Sequence, residues 1–246
     1  MTYPIVIGAH DKASADIKEP DVANAMRRIL RPGDTFVDVG ANVGMMSELG
    51  ANLVGTKGHV LAIEPGDNCL PDLYKLAERH PNIKVIPEIL WSHVKEVRFH
   101  ICADGSGGNA LWPPQEHPDN VKSRAEPKSY LIKTIALKDI YYYQYNLVDW
   151  KLIKIDAEGA EQRILEGGAC LLEDKKVPYI IAELHQYGLS RLGCNQQSLL
   201  GMMDNYGYYA FLLQRNLEPV PIPFGSIVAS EHVVNLLFST DPKGLP

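Results

Sequence analysis

Hydrophobic positions change their spacing several times along this chain, and each change marks an element. In "DVANAMRRIL", residues 21–30, Val22, Ala25, Met26, Ile29 and Leu30 recur on one face of a 3.6-residue period, and Pro20 suits a first helical turn. A helix is expected there. "RPGD" breaks the chain, and "TFVDVG" then reads as a buried strand. Val43, Met46, Leu49, Gly50 and Leu53 return to helical spacing. "GHVLAIEP" predicts a second strand and "NIKVIP" a third. Between them, "DNCLPDLYKLAERH" predicts a helix whose regular part starts late, because Pro71 has no N–H to give. Strand and helix alternate, as in an α/β chain with a doubly wound parallel sheet.

The middle of the chain departs from that rhythm. "KEVRFHICA" alternates like a half-exposed strand, "DGSGGNALWPPQEHPDN" is too rich in Gly, Pro and Asn for regular structure, and "SYLIKTIAL" predicts another strand. Residues 92–135 are expected to form a β-rich insertion after the third strand, with a loop of the length that lids and binding loops have. The parallel pattern resumes with the strand "DWKLIKID", the helix "GAEQRILEGGACLLED" and the strand "VPYIIAELH". A helix in "NQQSLLGMMDNYG" and strands in "YYAFLL" and "HVVNLLFS", around the Pro-rich loop "EPVPIPFG", close the chain. The expected organisation is a single domain over 1–246, with a helical lead-in at 1–32 and a C-terminal helix and strands at 186–246.

Composition narrows the function classes. The chain has 246 residues, 46% of them hydrophobic and 22% charged, with a net charge of −6, which is ordinary for a globular protein. No Lys/Arg run exceeds the pairs Arg27-Arg28 and Lys175-Lys176, so no nucleic-acid partner is expected. Cys69, Cys102, Cys170 and Cys194 are scattered without a C-x-x-C pair, and read as reduced thiols rather than a disulfide or zinc framework. No signal peptide and no membrane span are read, and the expected location is the cytoplasm.

"TFVDVGANVG" carries the first chemistry. A dinucleotide turn needs G-x-G-x-x-G, whose middle glycine admits a pyrophosphate. Here the turn is Gly40-Ala41-Asn42-Val43-Gly44, so the middle glycine is absent, and no phosphate-cradling Gly-Lys-Ser/Thr follows. Asp38, two residues before Gly40, repels a pyrophosphate and suits an ammonium or a bridging water. Glu64 ends the second strand, where a carboxylate can accept both hydroxyls of a ribose. A ligand with a ribose, a cationic end and no phosphate satisfies these positions, and S-adenosylmethionine is one. The structural alternative is a tight strand–helix turn with a capping Asp.

"LIKIDAEGAEQRILEGG" ends a strand at Asp156 and opens a helix at Gly159-Ala160-Glu161. In a doubly wound sheet this strand neighbours the first across the switch point, so Asp156 faces the ligand's reacting end, flanked by Glu158 and Glu161. Glu161 also suits a first helical turn for purely structural reasons. Together, "FVDVGANVG", "AIEP" and "LIKIDAEGAEQRILEGG" resemble the FkbM family of S-adenosylmethionine-dependent methyltransferases. The approach "EPDVANAMRRILRPGD", with Glu19 and Pro20, and the strand "VPYIIAELH", with Glu183, are similar to it as well. The resemblance implies a class I methyltransferase fold: a seven-stranded sheet whose last strand, His232 to Ser239, is antiparallel. It implies methyl transfer to oxygen, on a sugar or other small molecule. It also implies that Asp38, Gly40, Ala41, Asn42 and Gly44 hold the methionine portion, Glu64 and Pro65 the ribose side, Glu88 and Ile89 the adenine, and Asp156 the sulfonium end.

An alcohol acceptor needs a base within hydrogen-bond reach. Asp156, Glu183 and His185 are the candidates, with His185 ahead of Glu183 as proton acceptor because imidazole titrates near neutrality. Asp156, Glu158, Glu183 and His185 are also able to gather a Mg²⁺, although their spacing does not demand a metal. Trp112, in the Gly/Pro-rich loop, is expected as a lid residue, and "YYYQYN" (141–146) as an amphipathic helix or an acceptor-stacking segment. The expected partner is a small-molecule or saccharide acceptor, with the oligomeric state open and a homodimer among the options. The alternatives are an NAD(P)-dependent oxidoreductase and an inactive cofactor-binding scaffold.

Overall fold

The computed structural model describes residues 4–6, 19–117, 120–144, 149–215, 218–223, 225–229 and 233–246. Its strands are β1 (Pro4–Val6), β2 (Thr35–Val39), β3 (His59–Ile63), β4 (Ile83–Ile86), β5 (Ile89–Trp91), β6 (Glu96–Ile101), β7 (Lys128–Ala136), β8 (Trp150–Ile155), β9 (Tyr179–Leu184), β10 (Tyr209–Leu212), β11 (Val220–Ile222), β12 (Ile227–Ala229) and β13 (Val234–Ser239). Its helices are α1 (Pro20–Ile29), α2 (Met45–Val54), α3 (Leu70–Arg79), α4 (Val121–Ala125), α5 (Leu137–Asp139), α6 (Glu161–Glu166), α7 (Ala169–Glu173), α8 (Gln186–Arg191) and α9 (Gln196–Asn205).

The central sheet runs β11-β10-β13-β9-β8-β2-β3-β4. β4, β3, β2, β8 and β9 are parallel, and β13 lies antiparallel between β9 and β10. The expected seven-stranded sheet with an antiparallel last strand is present. An eighth is added by β11 on the edge, from the segment read as a Pro-rich loop. Pro221 is tolerated there because an edge strand can leave one side unpaired. The chain steps outward from β2 to β3 and β4 and returns to β8 on the other side of β2. The switch point therefore lies between β2 and β8, where ligands bind in open sheets of this kind.

Alternate residues of each strand face opposite layers. Val37, Val39, Ile153 and Ile155 pack into a core with Ile164, Leu172 and Met203 from α6, α7 and α9. Phe36, Ala62 and Leu152 pack into a second core with Met26, Val54 and Leu73 from α1, α2 and α3. The α1 face is as expected, with Val22, Ala25, Met26 and Ile29 buried. Val43, by contrast, is 45% exposed, because Gly44 caps α2 in the left-handed region and the helix begins only at Met45. The single helix expected over 159–174 is two helices, α6 and α7, parted at Gly167–Gly168. A Cβ at Gly167 would sit 2.3 Å from the Trp91 carbonyl oxygen, so a glycine is required where β5 crosses.

The insertion is β-rich: β5, β7 and β6 form a separate sheet over Ile89, Phe99 and Ile101, with α4 as an unanticipated helical turn. In the lead-in, β1 pairs parallel with β12, a strand the sequence pattern did not suggest. Tyr141 packs on Trp150 with ring centroids 5.0 Å apart, in a π-helical turn over Ile140–Gln144, and Tyr142 and Tyr143 face solvent. Tyr145, Asn146 and His232 lie outside the described residues.

Candidate active site

A cleft with about 620 Å³ of empty space, its mouth included, opens over the carboxyl ends of β2, β3 and β8. Gly40, Asn42, Glu64, Pro65, Glu88 and Ile89 line one side, and Asp156 and Glu158 line the other. The insertion supplies a further wall with Phe99, Asn109 and Leu111. Four carboxylates, those of Glu64, Glu88, Asp156 and Glu158, face the space, and no Lys, Arg or His does among the described residues. Such a wall rejects a pyrophosphate and accepts a cation.

Glu64 is held by the turn it faces. Its two oxygens accept the Asn42 N–H (2.9 Å) and the Gly66 N–H (2.7 Å). Burial nevertheless raises its pKa from 4.5 to about 7, against the pull of those donors. The two glycines of the turn are also demanded by packing. A Cβ on Gly40 would lie 1.8 Å from the Asp156 carbonyl oxygen, and one on Gly44 would meet Leu76 and Leu73 of α3. Ala41 is buried and donates its N–H to Ile63 O, so it shapes the turn without lining the cleft.

Beneath the cleft lies a charge cluster that follows from register. Asp38 of β2 pairs with Lys154 of β8, so both side chains point to the α1 layer. Lys154 is 3% exposed, with Nζ 3.0 Å from Asp156 Oδ2 and 3.6 Å from Glu19 Oε2. Burial works to lower its pKa, but Asp156, Asp38 and Glu19 together hold it well above the ordinary value. Burial pushes the pKa of Glu19 up to about 7 and that of Asp38 up as well. Asp38 Oδ2 accepts the Ser47 hydroxyl at 2.6 Å, while Asp38 Oδ1 and Glu19 Oε2 are buried acceptors without a donor. Asp38 and Glu19 thus sit under the cleft rather than in its wall. Lys154 escaped the sequence reading, although a lysine inside the buried run "LIKI" is itself a signal, because such a charge needs partners.

A third group surrounds the loop after β8. Glu161 Oε1 accepts the N–H groups of Ala157 and Gly159, both at 3.0 Å, which makes Glu161 the brace of this loop. Glu158 takes a left-handed φ of 52°, and its carbonyl accepts Trp112 Nε1–H at 2.7 Å. Trp112 is buried and packed against His185 and Tyr187. His185 Nδ1 lies 2.9 Å from Glu158 Oε2. Burial works to lower the imidazole pKa, but Glu158, Glu161 and Asp156 outweigh it and leave it raised. Glu183 at the end of β9 is held well above the usual carboxyl range by burial and by Asp156 and Glu158.

The chain matches the methyltransferase FkbM domain over residues 38–209. No curated protein matches it. Among solved structures it is similar to an S-adenosylmethionine-dependent O-methyltransferase from Thermotoga maritima at 10% identity and a TM-score of 0.48, covering 93% of this chain and 67% of that one. It is also similar to a precorrin-6y C5,15-methyltransferase from Geobacter metallireducens at 11% identity and a TM-score of 0.47, over 93% of each chain. The Aeropyrum pernix fibrillarin with natively bound S-adenosyl-L-methionine resembles it at 10% identity and a TM-score of 0.44, over 85% of this chain and 68% of that one. The domain match spans most of the sequence and takes in both chemical motifs, so this chain belongs to the FkbM family of S-adenosylmethionine-dependent methyltransferases.

Proposed function

We propose that this methyltransferase methylates a hydroxyl oxygen of a neutral small molecule or saccharide. The carrying observation is the cleft wall of four carboxylates without a basic side chain, which opposes a polyanionic acceptor such as nucleic acid and suits a cationic donor. S-adenosylmethionine supplies an activated methyl carbon on a sulfonium. The residues fit it: Glu64 offers carboxylate oxygens to ribose hydroxyls, the apolar wall of Ile89, Phe99 and Leu111 suits adenine, and Glu88 borders that wall. Asp156 faces the cationic end, while Asp38 and Glu19 add negative charge from below.

What this chain contributes to the reaction is position, dryness and a destination for a proton. The acceptor's hydroxyl proton leaves toward the group formed by Asp156, Glu183 and His185, with Glu158 beside the imidazole. The insertion, pinned by Trp112 to the Glu158 carbonyl, keeps water from that end. The test is methyl transfer from labelled donor to a panel of polyols, phenols, amines and RNA. Labelling of hydroxyl compounds supports the reading, and labelling of RNA or amines alone overturns it. In the same series S-adenosylhomocysteine is expected to raise the melting temperature and NAD to leave it unchanged.

Glu64 gives a pH dependence. Its folded pKa of about 7 exceeds the ordinary 4.5, so the fold binds this proton more tightly than the unfolded chain does. Its contribution to stability is full below pH 4.5 and is lost as pH rises through 7. For the cofactor the sign reverses, since an ionised carboxylate accepts the ribose hydroxyls more strongly. S-adenosylhomocysteine affinity is expected to rise about fivefold to tenfold between pH 6 and 8. Glu64→Gln is expected to bind more weakly and to flatten that profile in calorimetry.

A further inference from the structure

Glu158, Glu183 and His185 come from separate elements, the loop after β8, the end of β9 and the N-cap of α8, and their donor atoms all lie within 4.8 Å of one another. The convergence is built by backbone contact. Cβ atoms at Gly159 and Gly188 would come within 2.1 Å of the Gly188 carbonyl carbon and 2.4 Å of the Glu158 carbonyl oxygen, so only glycines let the loop and α8 close on each other. Two observations show that the cluster lacks a central partner. His185 Nδ1 is buried and has no aligned hydrogen bond, although Glu158 Oε2 is 2.9 Å away. The Glu183 backbone is paired in the sheet, but its side chain makes no hydrogen bond or ion pair among the described residues.

We infer that these three side chains hold a divalent cation, and that the cation receives the acceptor's hydroxyl oxygen. The inference rests on the methyl-transfer reading for its acceptor, but the ion site stands on its own geometry. Donors sharing an ion with bonds of about 2.1 Å lie roughly 3 to 4.2 Å apart, so closing from 4.8 Å takes less than an ångström of side-chain rotation. One imidazole nitrogen with two carboxylates suits a first-row ion such as Mn²⁺ or Zn²⁺ better than Mg²⁺, which favours an all-oxygen octahedron. Three protein ligands leave open positions for the acceptor, as in catalytic rather than structural sites. The Trp112 indole over His185 covers one side of the site and limits water there.

The chemistry balances without a further reagent. The ion withdraws charge from the hydroxyl, and the O–H proton passes to Asp156, which lines the cleft beside Glu158. The oxygen then forms the new bond to the methyl carbon. The carbon–sulfur bond breaks with its electron pair staying on sulfur, and the sulfonium becomes a neutral thioether. His185 acts as a ligand in this scheme, and Asp156 is the proton acceptor.

The experiment uses the full chain freed of metal by EDTA and dialysis. Mn²⁺ is titrated in by calorimetry and by the loss of the free-ion paramagnetic resonance signal, with Zn²⁺ and Mg²⁺ as further arms. Wild type is expected to bind one Mn²⁺ or Zn²⁺ per chain, and Glu183→Gln and His185→Gln to bind it at least tenfold more weakly. Failure of the wild type to bind any of the three ions overturns the proposal, whatever the variants do. Equal binding by wild type and both variants overturns it too, because the ion then sits elsewhere. The melting shift with S-adenosylhomocysteine, measured on the same metal-free protein, reports the donor site separately. A shift without ion binding rejects the cation and leaves methyl transfer standing.

Discussion

Gly40→Ala is expected to destabilise the protein by more than about 3 kcal/mol and to abolish the melting shift with S-adenosylhomocysteine. Two effects add at this position. Gly40 has φ +77°, a conformation that costs an L side chain about 1–2 kcal/mol. Its Cβ would also lie 1.8 Å from the Asp156 carbonyl oxygen, a backbone atom that cannot swing away. β2 and β8 would have to part at the switch point, weakening the Asp156 N–H to Val39 O bond (3.0 Å) and the two bonds that Gly40 and Ala41 donate to Ile63 O. Gly33→Ala is the control. Gly33 has φ +98° with nothing within 4 Å of a Cβ, so it tests the dihedral cost alone. Urea midpoints separate the two variants, and equal midpoints would refute the steric argument.

Lys154→Met is expected to cost about 3–5 kcal/mol at pH 8, the usual loss when one partner of a buried ion network is removed. Methionine fills the space but leaves Glu19, Asp38 and Asp156 without the ammonium that balances them. The sign with pH follows from the carboxyls. Glu19, already near 7, and Asp38, already raised, would rise further without the lysine. As pH falls they take up protons and the repulsion disappears, so the gap to wild type is expected to shrink toward pH 5. Denaturant titration at both pH values checks this. A gap that is the same at pH 5 and pH 8 would mean that lost packing, rather than charge, sets the cost. Lys154→Met is also expected to weaken cofactor binding, because Asp156 loses the contact that orients it in the cleft wall.

Local pattern was enough for the parts of the fold that are local. The α1 face was legible because Val22, Ala25, Met26 and Ile29 share one stripe, and β2, β3, β8 and β9 were legible as apolar runs ended by acidic residues. Failures fall where a distant backbone sets the conformation. The break between α6 and α7 falls where Gly167 passes against the Trp91 carbonyl, and β11 pairs on the edge that β10 offers. The helix expected to include Val43 starts two residues later, because the left-handed Gly44 turns the chain.

By itself the sequence determined that a strand ending in Asp38 and Gly40, a second ending in Glu64 and a third ending in Asp156 face one cleft, since apolar runs, turn glycines and terminal carboxylates are written locally. Tertiary structure alone decided which charges meet. Strand register set Lys154 beside Asp38 and drew Asp38 and Glu19 under the floor of the cleft. Backbone packing of the β8 loop on α8 brought Glu158 to His185, and the insertion buried Trp112 against both. Electrostatic interaction depends on separation in space, and separation between distant segments is fixed only when the sheet closes.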